Sequence, residues 1–286
     1  MVEGRTKKLS INVLRGIFQP FLDNAIGDRL KSIIYSNPPW YVRPWTKDIT
    51  VSDLIPWRCD KTWNTRFDIM NIPSLVFPNN KPKDQALLVI FDQNGKELVR
   101  IKNIIDPFKT EPIIFNQILG DHTGYGTFAC FHHAPSIQKD LLDGSYFIDR
   151  QYVGFKRHGE PLWNFAHGNV AALTHRPKAK KFGCLTTQPK HYAVYRPQIH
   201  LNDCRRFELI YANPTLRKVD IIINFLDYRR QKISTRHKQI PPKGLCIFEF
   251  DNVERNCVSI EHKGPIELWR PIIFKYYNTH FDVLHS

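Results

Sequence analysis

Asp121 and His122 stand side by side inside Gly120-Asp-His-Thr-Gly-Tyr-Gly126, where three glycines in seven residues let the backbone approach a ligand closely. A carboxylate beside an imidazole can pass a proton, so Asp121 and His122 are catalytic candidates, joined by His167 of His167-Gly168-Asn169. The segment lacks the Lys-Ser/Thr of a phosphate-binding P-loop and the strand-to-helix setting of a dinucleotide site. The chain also holds no G-x-S-x-G nucleophile elbow. Read for structure alone, Gly120–Gly126 is a hairpin loop whose glycines supply positive φ.

Metal chemistry has little to build on. His132 and His133 are adjacent, so on a strand they point to opposite faces and do not share an ion. No H-x-H or H-E-x-x-H spacing occurs among the twelve histidines, and the six cysteines include no C-x-x-C pair. We therefore expect neither metal nor cofactor, and buried thiols in a reducing, cytoplasmic compartment.

Ligand-binding candidates come from charge and aromatic rings. Lys and Arg number 41 against 27 Asp and Glu, a formal charge of +14, which favours an anionic partner. Arg176, Lys178, Lys180 and Lys181 concentrate part of that charge. Trp57 and Trp63, with Arg58 between them and Trp40 and Trp45 upstream, form a tryptophan-rich stretch that could stack sugars or pin a connector. Tyr125, inside the glycine loop, completes the set. No zinc finger, ribonucleoprotein signature or helix-turn-helix is visible, so sequence-specific DNA reading is not expected.

The elements that must position these residues are mostly strands. Aromatics at 13%, with 20 prolines and 14 glycines, suit many short, half-buried segments. Apolar residues recur at spacings of three and four across 9–36, which predicts a helical arm with a break at Pro20. From about residue 50, runs such as Ala86–Phe91 alternate with turn signals such as Asp92-Gln93-Asn94-Gly95.

The second half repeats the first. Leu87–Asp92 is matched by Ile221–Asp227, Ile113–Asn116 by Phe248–Asp251, and Trp163–His167 by Phe281–His285. The repeat demotes His167, whose counterpart His285 marks a structural position. These matches predict a mainly β chain: two tandem β-sandwich domains from an internal duplication, behind a short α-helical arm. The expected boundaries are an arm and connector at 1–48, sandwiches at 49–173 and 191–286, and a basic linker at 174–190. No apolar run is long enough to span a bilayer.

The expectation for function is a non-catalytic binding or assembly protein. Its basic surface would meet a polysaccharide, nucleic acid or protein, and the arm would mediate homo-oligomerisation. The alternative is an enzyme on a carbohydrate or nucleotide-linked substrate, with Asp121 and His122 in a tryptophan-lined cleft. No family resemblance emerges from the motifs.

Overall fold

In the computed structural model the described residues are 49–140, 152–168, 172–176, 180–184, 193–197, 199–201, 203–251, 257–265, 268 and 270–285. The arm and connector expected at 1–48 lie outside them, and so does Lys178. Within the described residues the helices are short. They are α1 (Ile72–Val76), α2 (Phe115–Leu119) and a 3-10 segment at Pro135–Asp140.

The strands form five antiparallel sheets. Sheet I joins β1 (Thr50–Ser52), β10 (Leu173–His175) and β11 (Phe182–Cys184) in that order. Sheet II is β2 (Ile55–Cys59), β7 (Gly124–Phe131), β4 (Asp84–Asp92) and β5 (Glu97–Ile105). Sheet III is β6 (Thr110–Ile114), β3 (Trp63–Met70), β8 (Tyr152–Arg157) and β9 (Asn164–His167). Sheet IV is β12 (Ala193–Tyr195), β17 (Ser259–Gly264), β14 (Val219–Leu226) and β15 (Lys232–Ile240). Sheet V is β16 (Leu245–Asp251), β13 (Arg206–Ala212), β18 (Ile272–Tyr276) and β19 (Phe281–His285). Strand order in sheet II thus recurs in sheet IV, and that of sheet III in sheet V.

The expected pair of tandem β-sandwiches is nevertheless corrected. The structure is 56% strand and 8% helical, and its small sheets form a five-bladed, propeller-like array rather than two sandwiches. The physical reason is that the halves do not close separate cores. One core takes Ile55, Trp57, Phe67 and Phe155 from sheets II and III together with Ile210, Ile272, Phe274 and Phe281 from sheet V. The opposite face of β13 places Phe207, Leu209 and Tyr211 in a second core with Ile221, Ile223 and Phe225 of sheet IV. Sheet V is therefore buried on both sides. Sheet I, which includes part of the expected linker, lays Leu173 and Phe182 over Val89, Phe91 and Phe131 of sheet II. This second cover explains why β4 is an unbroken apolar run, whereas β14 alternates buried and half-buried residues.

Two local devices recur at matching places. Asp92 Oδ1 accepts from the Asn94 and Lys96 amides at 2.9 and 2.8 Å, and Asp227 Oδ1 accepts from Arg229 and Gln231, each at 2.8 Å. The Asn71 side chain donates to the carbonyls of Pro82 and Ile105, both at 2.9 Å, and caps α1 by accepting from Ser74 N at 2.9 Å. Asn213 donates to Ile240 and Pro241 at 3.1 and 3.0 Å and accepts from Thr215 N at 3.0 Å. The two hairpin turns need left-handed residues, Gly95 at φ 79° and Arg230 at φ 59°. Gly95 has a further constraint: a Cβ there would collide with the Pro242 carbonyl of the second half. Gln93 O also accepts from Leu245 N at 3.1 Å, which seats this turn on the second half.

Candidate functional site

Three of the sequence candidates meet where the halves join. Arg58, on β2, lies over the rings of Trp63 at 4.4 Å and Tyr125 at 4.7 Å. Its Nη1 donates to Glu208 Oε2 at 3.2 Å and to the Tyr276 hydroxyl at 2.9 Å. Tyr125 Oη donates to the same Glu208 oxygen at 3.1 Å, and Arg206 Nη2 reaches Oε1 at 2.7 Å. The local chain builds this geometry. Asp60 accepts from the amides of Thr62 and Trp63 at 2.7 and 2.9 Å, turning β2 into β3. Arg58 N then donates to Thr65 Oγ1 at 2.9 Å.

The electrostatics are those of a closed structural cluster. Burial alone would lower the Arg58 pKa, but Tyr276, Tyr125 and Glu208 outweigh it and raise it. Burial, reinforced by Glu208, pushes both Tyr125 and Tyr276 up. Side-chain exposure is 14% for Arg58 and 1% for Glu208, so the pair is shielded from water and from ligands. Trp63 adds edge-to-face contacts with Phe274 at 5.4 Å and Phe281 at 4.6 Å, each pair contributing about 0.5–1.5 kcal/mol. Glu208 and Tyr276 escaped the sequence reading. The signal for Glu208 was a lone carboxylate amid the apolar Phe207-Glu-Leu-Ile210 run.

The other candidates are dispersed. Asp121 and His122 are exposed just beyond α2, whereas Trp57 and Trp63 are buried, so no surface is shared between them. Trp57 Nε1 donates to Phe91 O at 2.9 Å, the work of a core residue. His167 and His285 have ring centroids 3.5 Å apart where β9 and β19 run side by side. No group of three or more His, Cys, Asp or Glu side chains able to hold a metal occurs among the described residues.

A basic cluster surrounds Phe182 on sheet I. His175 pairs with Phe182, so Arg176 and Lys181, both exposed, flank the same end of the β10–β11 ladder, with exposed Lys180 beside them. From the adjoining elements, Arg100 lies 5.1 Å and Lys243 5.9 Å from the Phe182 ring. Glu97 is engaged by Arg100 at 2.7 and 2.8 Å, which holds its carboxyl below the usual range. Burial lowers the Lys243 pKa, and Arg100 lowers it further against the pull of Glu97 and Asp92. Arg100 and Lys243 come from β5 and the β15–β16 turn, and their approach to sheet I could not be read from local spacing.

No protein-family model matches the chain, and no curated protein matches it. Among solved structures it is similar to a beta-glucuronidase from glycoside hydrolase family 2, at 10% identity and a TM-score of 0.18. That alignment covers 87% of this chain but 26% of the enzyme, and a likeness this slight carries no argument. Among the described residues, no helix is long and apolar enough to cross a membrane.

Proposed function

We propose that this protein is a non-catalytic binding protein whose basic face on sheet I meets an anionic partner. The supporting observation is the cation cluster at Phe182: Arg100, Arg176, Lys180, Lys181 and Lys243, with Glu97 and Asp92 as the carboxylates acting on it. Lys243 is under pressure from both burial and Arg100. A sulfate or phosphate brought to the cluster relieves that pressure, and release of the polymer's counterions adds to the gain. The chain's formal charge of +14 extends the attraction beyond contact range.

Heparin chromatography across a salt series tests this reading. The wild-type protein should be retained at low salt and released steeply as salt rises. A variant carrying Arg176→Gln, Lys180→Gln and Lys181→Gln should elute at clearly lower salt with an unchanged circular dichroism spectrum. Equal retention of the two proteins removes the sheet I face from the binding site.

A further inference from the structure

Sheets III and V present the same face to very different surroundings. Asn71 and Asn213 end β3 and β13 alike, and the ladders then place Arg66 of sheet III at the position of Glu208 in sheet V. Gly154 lies opposite Arg66 as Phe274 lies opposite Glu208. Next along come Phe165 and Val283, and one step away Tyr152 and Ile272 face His167 and His285. On sheet V this face is the seat of the first half, with Ile272, Phe274 and Val283 buried. On sheet III, Tyr152 is 60% and Phe165 42% exposed.

We propose that the outward face of sheet III is a stacking platform for single-stranded nucleic acid. Four substitutions between the two faces run towards that ligand, while Asp68 at the place of Ile210 and Asn64 at the place of Arg206 run the other way. A buried carboxylate, Glu208, is replaced by Arg66, and the half-buried phenol of Tyr276 by Lys156. Buried Ile272 and Val283 are replaced by exposed rings. The Phe165 ring lies over Gly154, where a Cβ would stand 2.8 Å from Cε1, so the glycine lets the ring settle on the sheet. Trp163 stands just ahead of β9, two residues before Phe165, a spacing of about 6.7 Å where the chain is extended. That step is comparable to the reach between neighbouring bases of an extended strand, and base stacking on sheet aromatics is a general mode of single-strand recognition.

Charge on the face complements the phosphates. Lys156 Nζ sits 4.9 Å from the Trp163 ring centroid, beside the stacking surface. Arg66 Nε donates to Asp68 Oδ1 at 2.8 Å, and the Arg66 side chain is 34% exposed. A second copy of the chain does not fit the face as the first half fits sheet V. The positions that Trp63 and Phe155 hold in the first half are Arg205 and Lys275 in the second.

The test is fluorescence anisotropy of a labelled oligothymidylate with the full-length chain. Wild type should bind, and Tyr152→Ala and Phe165→Ala should each weaken binding about 5- to 150-fold, the range for losing one stacked base. Phe165→Tyr keeps a ring over Gly154 and should bind within about twofold of wild type, which separates stacking from loss of fold. In the Arg176, Lys180, Lys181 triple-Gln background the loss on Tyr152→Ala should persist, so failure of the sheet I reading leaves this one standing. The proposal is overturned if the alanine variants bind as wild type does. It is equally overturned if the oligonucleotide is not bound, including the case where a neutral glucan oligosaccharide or an acidic peptide is retained instead.

Discussion

Each half of the molecule buries a histidine on the central strand pair of its outer sheet, and the two are held in opposite ways. His132, just after β7, is fully buried with Nδ1 2.5 Å from Asp84 Oδ2. His262, on β17, is also buried, but its Nδ1 meets only the Tyr211 hydroxyl, at 3.0 Å, and its Nε2 has no partner among the described residues. Burial alone would lower the His132 pKa, yet Cys130 and Asp84 reverse the effect and raise it well above the ordinary value. For His262 burial acts unopposed and brings the pKa down to about 4. The two histidines are not counterparts: the ladders set Cys130 opposite Leu88 and His262 opposite Ile223, so His262 takes the place of Cys130, and Val219, at the place of Asp84, lies four residues along β14 from Ile223. A buried imidazole is thus charged where Cys130 and a carboxylate stand beside it and neutral where its partner is a phenol.

Removing that side chain should have the largest effect. Asp84→Ala removes the carboxylate beside the buried His132 imidazolium and also strands the His133 amide, which donates to Asp84 Oδ1 at 3.0 Å. A loss of about 3–5 kcal/mol is expected, measured by urea unfolding near neutral pH. A loss below about 1 kcal/mol would show that His132 is neutral and that the two sites are alike.

The pH dependence sharpens the same contrast. His132, with its folded pKa raised, contributes stability that is fully present below about 6.5 and is lost as pH rises through the folded value. His262, with its folded pKa near 4, works the other way. Between about 6.5 and 4 the unfolded chain takes up a proton that the folded chain refuses, so stability falls as pH falls, by on the order of 3 kcal/mol. Unfolding free energies from acid to alkaline pH should pass through a maximum near the ordinary histidine value. His262→Phe should flatten the acid arm alone; an acid arm unchanged by that substitution assigns the loss to other groups.

The smallest effect is expected where the halves agree. Asp92→Ala and Asp227→Ala each remove two exposed turn hydrogen bonds, and each should cost about 1 kcal/mol. Matched shifts in thermal midpoint support equivalent turns, whereas a cost at one site only means that the other turn is held by its neighbours.

What the sequence made legible follows the range of the interactions. Ala86–Phe91 falls within β4, and Asp92-Gln93-Asn94-Gly95 makes the turn into β5, because both signals are local. The array of sheets was not legible. An apolar alternation identifies one buried face, but β13 has two, and the residue that closes the second, Arg58, is 150 positions from Glu208. The tryptophan-rich stretch pointed to the right neighbourhood for the wrong reason: Arg58, Trp63 and Tyr125 converge to join the halves, and Tyr152 and Phe165 are among the rings left exposed elsewhere. Asp121 and His122 drew attention by adjacency alone, and no described element converges on them with a second functional group.

The contact at Gly95 sets an unequal pace for change along the chain. Its counterpart, Arg230, occupies a left-handed turn at φ 59° and is exposed, so substitution there meets a conformational preference and little else. At Gly95 the same preference is joined by the Pro242 carbonyl, and every side chain is barred. Position 230 tolerates other side chains that accept the left-handed turn, while position 95 can change only if the Pro241–Gly244 turn changes with it. The two turns share one geometry, and docking ties one of them to a second segment of chain.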